Sequence, residues 1–181
     1  MNPSTGNDFV YIVKLNGIGA ISWFKGFGSA TGSDYGTDII ELSSGDFAFT
    51  GVSDGGLTGK TALLCVINST GNLVLGNRYS SRNKTDSRFF GVVEAGDTLV
   101  VSGDYIFQNN NFGGVVHKIN KTTGAIFTTL DYNMDNDGSS ENKIFKTGYG
   151  YLISSNIVQA QNINTKRIGL LRPRGSRCYH N

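Results

Sequence analysis

Cysteine, histidine and proline are nearly missing from this chain, two of each in 181 residues. Cys65 lies inside an apolar stretch, as a small buried hydrophobe would, and Cys178 lies near the C-terminal end. Two lone cysteines decide neither a disulfide nor a compartment. No Cys-x-x-Cys or Cys/His cluster exists, and His117 and His180 are isolated, which argues against a structural zinc. Charged side chains make up 17% of the chain, below the usual share of about a quarter. With 38% apolar residues and a net charge of +2, disorder is not expected. No run approaches the roughly eighteen apolar residues of a membrane-spanning helix. Residues 1–8 form a polar arm, and the apolar run after it is broken by Lys14, so no signal peptide is recognised. The chain is then either cytosolic or a piece whose leader lies elsewhere. Nowhere does a 3.6-residue apolar stripe persist for ten residues, so helix content should be close to zero.

Basic residues are unevenly spread. Lys166, Arg167, Arg172, Arg174 and Arg177 supply five of the sixteen, leaving eleven against fourteen acidic side chains elsewhere. A nucleic-acid surface would rest on this segment alone, with few aromatics interleaved, so no nucleic-acid partner is expected. A solvated final strand accounts for it.

What is abundant is glycine (25), phenylalanine (11) and tyrosine (8), the composition of short strands and tight turns. The organising feature is a repeat of about 52 residues. Val10–Trp23 (VYIVKLNGIGAISW) returns at Ala62–Leu75 (ALLCVINSTGNLVL) and at Val115–Thr128 (VVHKINKTTGAIFT), with a clipped copy, GLLRPRG, at Gly169–Gly175. Residues 9–181 are therefore one repeat domain with units of about 9–60, 61–113, 114–166 and a truncated 167–181. Leu15, Ile67, Ile119 and Leu171 are expected to share one buried position. Gly19, Gly71, Gly124 and Gly175 hold one turn, where a positive φ costs glycine nothing. Gly51, Gly103 and Ser155 are expected to hold a second turn.

Strands are expected at Val10–Asn16, Ile21–Phe27, Asp38–Ser43 and Phe47–Ser53 in the first unit. The second unit repeats them at Thr61–Asn68, Leu73–Tyr79, Arg88–Glu94 and Thr98–Gly103. The third reads Gly114–Asn120, Ala125–Asp131, Asn142–Thr147 and Tyr151–Ser155, and Ile168–Leu171 opens the fourth. Ser29–Thr37 reads as a small-residue loop. Four short antiparallel strands per unit describe an all-β fold of propeller blades, because one four-stranded sheet with two apolar faces must bury both on its neighbours.

Asp8–Ser53 (DFVYIVKLNGIGAISWFKGFGSATGSDYGTDIIELSSGDFAFTGVS) resembles the repeat of secreted and cell-surface bacterial β-propellers. Those repeats read D-x-x-V-x-K-L-x-x-x-G-x-I-x-W, then G-S-x-x-D-x-G, then S-x-G-G-F-x-x-x-G. Later units drift, with Leu75 and Thr128 in place of Trp23. The resemblance implies that the Trp-bearing strand is outermost and that the chain opens with the outer half of a blade, for about three and a half blades in all. It also implies an extracellular or cell-surface location. A partial ring would expose the faces of its end blades, so the chain is expected either to belong to a longer protein or to complete a ring by self-association.

Candidate chemistry is sparse. Asn133, Asp135, Asp137 and Gly138 mimic the first half of a calcium loop, but its twelfth position is Ile144 instead of a bidentate Glu, so a solvated loop over Asn133–Glu141 is the simpler reading. His117 sits at the repeat position of Val13 and Cys65, where packing suffices. Asp34, Asp38, Glu41, Asp46, Glu94 and Asp97 could form a carboxylate pair, but nothing in the sequence pairs them. Asp46 and Asp97 follow turns and read as hairpin chemistry. Asn68, Asn83 and Asn120 head glycosylation triplets. No catalytic, cofactor-binding or metal residues are assigned. The expected function is a non-catalytic binding or scaffolding propeller segment, with a protein or glycan ligand meeting the blade loops. The alternative is a hydrolytic or quinone-dependent propeller enzyme with an axial site.

Overall fold

Three asparagines set the repeat at the level of single turns. Asn16 Oδ1 accepts the Ile18 and Ala20 N–H groups at 3.1 and 2.9 Å, and Asn68 Oδ1 accepts those of Thr70 and Asn72 at 3.1 and 2.9 Å. Asn120 Oδ1 accepts the Thr122 and Thr123 N–H groups at 2.9 and 2.8 Å. Each turn closes on a left-handed glycine, Gly19, Gly71 and Gly124, with φ of 82°, 80° and 72°. The asparagines that head two of the glycosylation triplets are thus turn formers.

A computed structural model of the chain describes residues 8–29, 32–54, 59–80, 84–107, 112–132, 138–158, 166–171 and 177–178. They hold fourteen strands and no helix: β1 (Val10–Leu15), β2 (Ile21–Phe27), β3 (Asp34–Glu41), β4 (Phe47–Ser53), β5 (Thr61–Ile67), β6 (Leu73–Tyr79), β7 (Lys84–Ala95), β8 (Thr98–Phe107), β9 (Phe112–Asn120), β10 (Ile126–Tyr132), β11 (Gly138–Thr147), β12 (Gly150–Val158), β13 (Lys166–Leu171) and β14 (Arg177–Cys178). All neighbouring strands pair antiparallel, in one two-stranded sheet (β1–β2) and three four-stranded sheets (β3–β6, β7–β10, β11–β14).

Several strands outrun their apolar pattern. β3 begins at Asp34, inside the expected loop, β7 and β11 start four residues early through polar stretches, and β8 and β12 run on beyond their expected ends through Asp104–Phe107 and Asn156–Val158. The ladder continues through a bulge in each first strand, after which the pairing no longer needs apolar alternation. These bulges fall at equivalent points, between Gly36 and Asp38, Phe89 and Gly91, and Ser140 and Lys143. Gly51 and Gly103 are inside β4 and β8, not at turns. A Cβ at either would collide with the carbonyl oxygen of Tyr35 or Arg88 on the bulged strand. Where Ser155 stands instead, the ladder steps from Ser140–Asn156 to Lys143–Ser154 without a rung.

The sheets stack in chain order through their alternate faces. On β5, Leu63, Cys65 and Ile67 pack with Val10, Trp23 and Phe27 of the first sheet. Ala62, Leu64 and Val66 turn the other way and pack on Phe89, Val92, Leu99, Val101 and Ile119 of the third. The third then uses Val100 and Val116 against Ile144 and Ile153 of the fourth. Trp23 bonds through Nε1 to the Ser69 carbonyl at 3.1 Å, seating the next unit's turn. In the next unit Leu75 replaces Trp23, and the Tyr79 hydroxyl takes over by donating to Gly124 O at 2.9 Å.

Candidate functional site

The first strands of the three full sheets, β3, β7 and β11, meet at their bulges. Thr37, the bulged residue of β3, donates from Oγ1 to Phe89 O on β7 at 2.7 Å and lies 3.1 Å from Thr50 Oγ1. Asp38 Oδ2 accepts the Val92 N–H at 3.0 Å. Lys143 of β11 reaches past the third sheet to donate to Thr37 O at 2.8 Å, and its ammonium stands 3.5 Å from Asp38 Oδ1. In the bulge register Asp38, Gly91 and Lys143 occupy one position of the repeat, holding an acid, no side chain and a base. The middle one must be glycine. A Cβ there would meet Ile144 N at 2.8 Å and Ser102 Oγ at 2.9 Å, so β11 could not come close enough to place Lys143.

On the long-loop side of the bulges, Arg88 makes a two-pronged bond to fully buried Asp104, at 2.7 and 2.8 Å, with its guanidinium 5.5 Å from the Phe90 ring centre. Toward the tight turns, Glu94 accepts from the Ser43 N–H (2.7 Å), the Ser43 hydroxyl (2.9 Å) and the Lys121 ammonium (2.9 Å). Burial pushes the Glu94 carboxyl upward, but these donors outweigh it and hold the group below its ordinary value.

A cleft of about 590 Å³ opens between β2 and β5–β6, lined by Phe27, Asp34, Leu63, Cys65, Leu73 and Arg78 among others. Asp34 is buried there and accepts the Ser29 N–H at 2.5 Å. Burial first, and the Asp34 charge second, push the Cys65 thiol up to about 12, so it is held as the neutral thiol. His117 stacks edge-on against Phe89 at 5.6 Å, with Nδ1 2.9 Å from Thr129 Oγ1. Burial lowers its pKa against the opposing pull of Asp131.

The carboxylates singled out in the sequence are thus dispersed. Asp34 lines the cleft between the first two sheets, Asp38 the strand convergence and Glu94 the Ser43–Lys121 tie, while Asp46 accepts from Ser44 within its own turn at 3.0 Å. Among the described residues no three His, Cys, Asp or Glu side chains are grouped to hold a metal, and no helix is long and apolar enough to cross a membrane. The candidate calcium loop at Asn133–Asp137 lies outside the described residues, as do Asn83, Arg172, Arg174, Gly175 and His180. The Asp38–Lys143 contact was invisible to sequence reasoning, because the two residues are 105 positions apart and of opposite type. Repeat alignment alone places them in one column. No protein-family model and no curated protein matches this chain.

Proposed function

We propose that the chain is a β-propeller segment of about three and a half blades, serving as an extracellular or surface binding and scaffolding module. The observation that carries this reading is the tie of β3, β7 and β11 through Thr37, Asp38 and Lys143. Sheets tied to one another at their first strands suit blades gathered about an axis. Up-and-down pairing also sorts the connections by end. Tight turns such as those between β7 and β8 or β11 and β12 gather at one end. The seven-residue stretches 54–60 and 159–165 follow β4 and β12 at the other. A face built from the long connections is where a protein or glycan ligand would be read. At the convergence, acid and base are spent on each other and on backbone groups, which suits a structural hub.

The test incubates purified protein with immobilised and soluble polysaccharides and with surface-protein extracts, scoring retention and released reducing ends or cleaved peptides in the same samples. Retention without release, lost when residues 54–60 are replaced by a Gly-Ser stretch, is the expected result. Turnover of a retained ligand would overturn the non-catalytic reading.

A further inference from the structure

Strand alternation assigns a direction to every apolar side chain in the stack. On β5, Leu63, Cys65 and Ile67 point to the sheet before, and they are 8%, 5% and 0% exposed. On β9 the same repeat positions are Val115, His117 and Ile119, and Ile119 packs on the second sheet. On β1 they are Tyr11, Val13 and Leu15, which are 66%, 52% and 54% exposed. Phe24, paired with Val13 on β2, lies on this same face and is 67% exposed. The first sheet therefore presents the leading half of an interface that the chain builds three times within itself.

The fourth sheet presents the trailing half. Ile40 and Ala48 of the second sheet pack toward the third, and Val93 and Val100 of the third pack toward the fourth. In the fourth sheet these positions are Phe145 and Leu152. Phe145 is 55% exposed, on the face opposite Ile144 and Ile153, which contact the third sheet. The two exposed patches are the leading and trailing sides of the same repeated packing, the first on third- and fourth-strand positions and the last on first- and second-strand positions, so each is an apolar face of the kind a neighbouring sheet covers inside the chain.

We propose that copies of this chain associate head to tail, the Tyr11–Val13–Leu15–Phe24 face of one copy seated on the Phe145–Leu152 face of the next. The contact is heterologous, with different surfaces on its two sides, and it closes into a ring if the rotation per copy permits. It rests on the sheet register and is independent of what the long loops bind.

The experiment is light-scattering mass on the purified chain and two charge variants, Val13→Glu and Phe145→Glu, up to about 100 µM, together with their thermal melts. Both sites are exposed within one copy, so at dilutions where the wild type is monomeric both variants should melt like it. The wild type should exceed the 19.5 kDa of one chain. Each variant alone should associate at least about tenfold more weakly than the wild type. An equimolar mixture should recover a dimer of one Val13→Glu and one Phe145→Glu copy through the intact pair of faces. A wild-type monomer throughout the range would overturn the proposal. So would a Phe145→Glu protein that keeps the wild-type mass, since the first sheets would then be pairing with each other.

Discussion

Replacing Asp38 by alanine tests the convergence of the first strands most directly. The change removes the acceptor of the Val92 N–H, a buried donor left without its partner, at a cost of about 1–3 kcal/mol. The ion pair with Lys143 adds less. At 3.5 Å, with the two side chains 27% and 44% exposed, it contributes no more than about 0.5 kcal/mol. Asp38→Ala should therefore lose about 2 kcal/mol in urea unfolding at neutral pH, a fall of about 4–8 °C in Tm for a chain of this size. Asp38→Asn keeps an acceptor oxygen and should lose less than about 1 kcal/mol. Combined with Lys143→Met in a double-mutant cycle, Asp38→Ala should show a coupling close to about 0.5 kcal/mol. The local readout is the Val92 amide, whose hydrogen exchange should quicken by at least about tenfold. Unchanged protection at Val92 together with zero coupling to Lys143 would refute the convergence of β3, β7 and β11, and the proposed propeller arrangement with it.

Gly51→Ala and Gly103→Ala should each cost about 2 kcal/mol or more in chemical denaturation, because the added methyl meets a backbone carbonyl of the neighbouring strand. Gly17→Ala, with open space around it, should stay within about 0.5 kcal/mol. His117 is held below its ordinary value of 6.5, so the unfolded chain takes up its proton first as pH falls. Stability should be full above 6.5 and decline below it towards the folded value, and Tm measured against pH should lose that slope in His117→Phe. In a Cys178→Ser background, Cys65 should react with a maleimide only as fast as the β5 region opens, because its thiol is buried and held neutral. Labelling at the rate of an unfolded control would show that the second sheet is not packed against the first.

Much of this architecture was legible beforehand. The Asn-to-Gly hairpins at 16–19, 68–71 and 120–124 are local, since an asparagine carbonyl and a left-handed glycine settle each turn without help from elsewhere. Their spacing marked out the units, and the sheets divide accordingly. Gly51 and Gly103 were misread as turn residues. A glycine looks the same in sequence whether it frees φ or makes room for a carbonyl, and only the position of Tyr35 or Arg88 across the ladder distinguishes the two. The starts of β7 and β11 were missed because polar residues paired beyond a bulge leave no alternation to read, and the ends of β8 and β12 because they pair with those starts. The candidate site was the least legible part. Ser43, Glu94 and Lys121 meet across two sheets, and no spacing in the chain announces the tie.

Period-two alternation and glycine turns act over a few residues. They decide the strands, the hairpins and the presence of two apolar faces on every full sheet. Which face meets which neighbour depends on the direction in which successive sheets stack, and local chemistry does not encode it. That stacking turned three drifted copies of one position, Asp38, Gly91 and Lys143, into an ion pair with a glycine gap between its partners. It also left Val13 in solvent while covering its repeat equivalent Cys65. Burial at equivalent positions is a property of the stack, because a side chain is covered only when another sheet arrives to cover it.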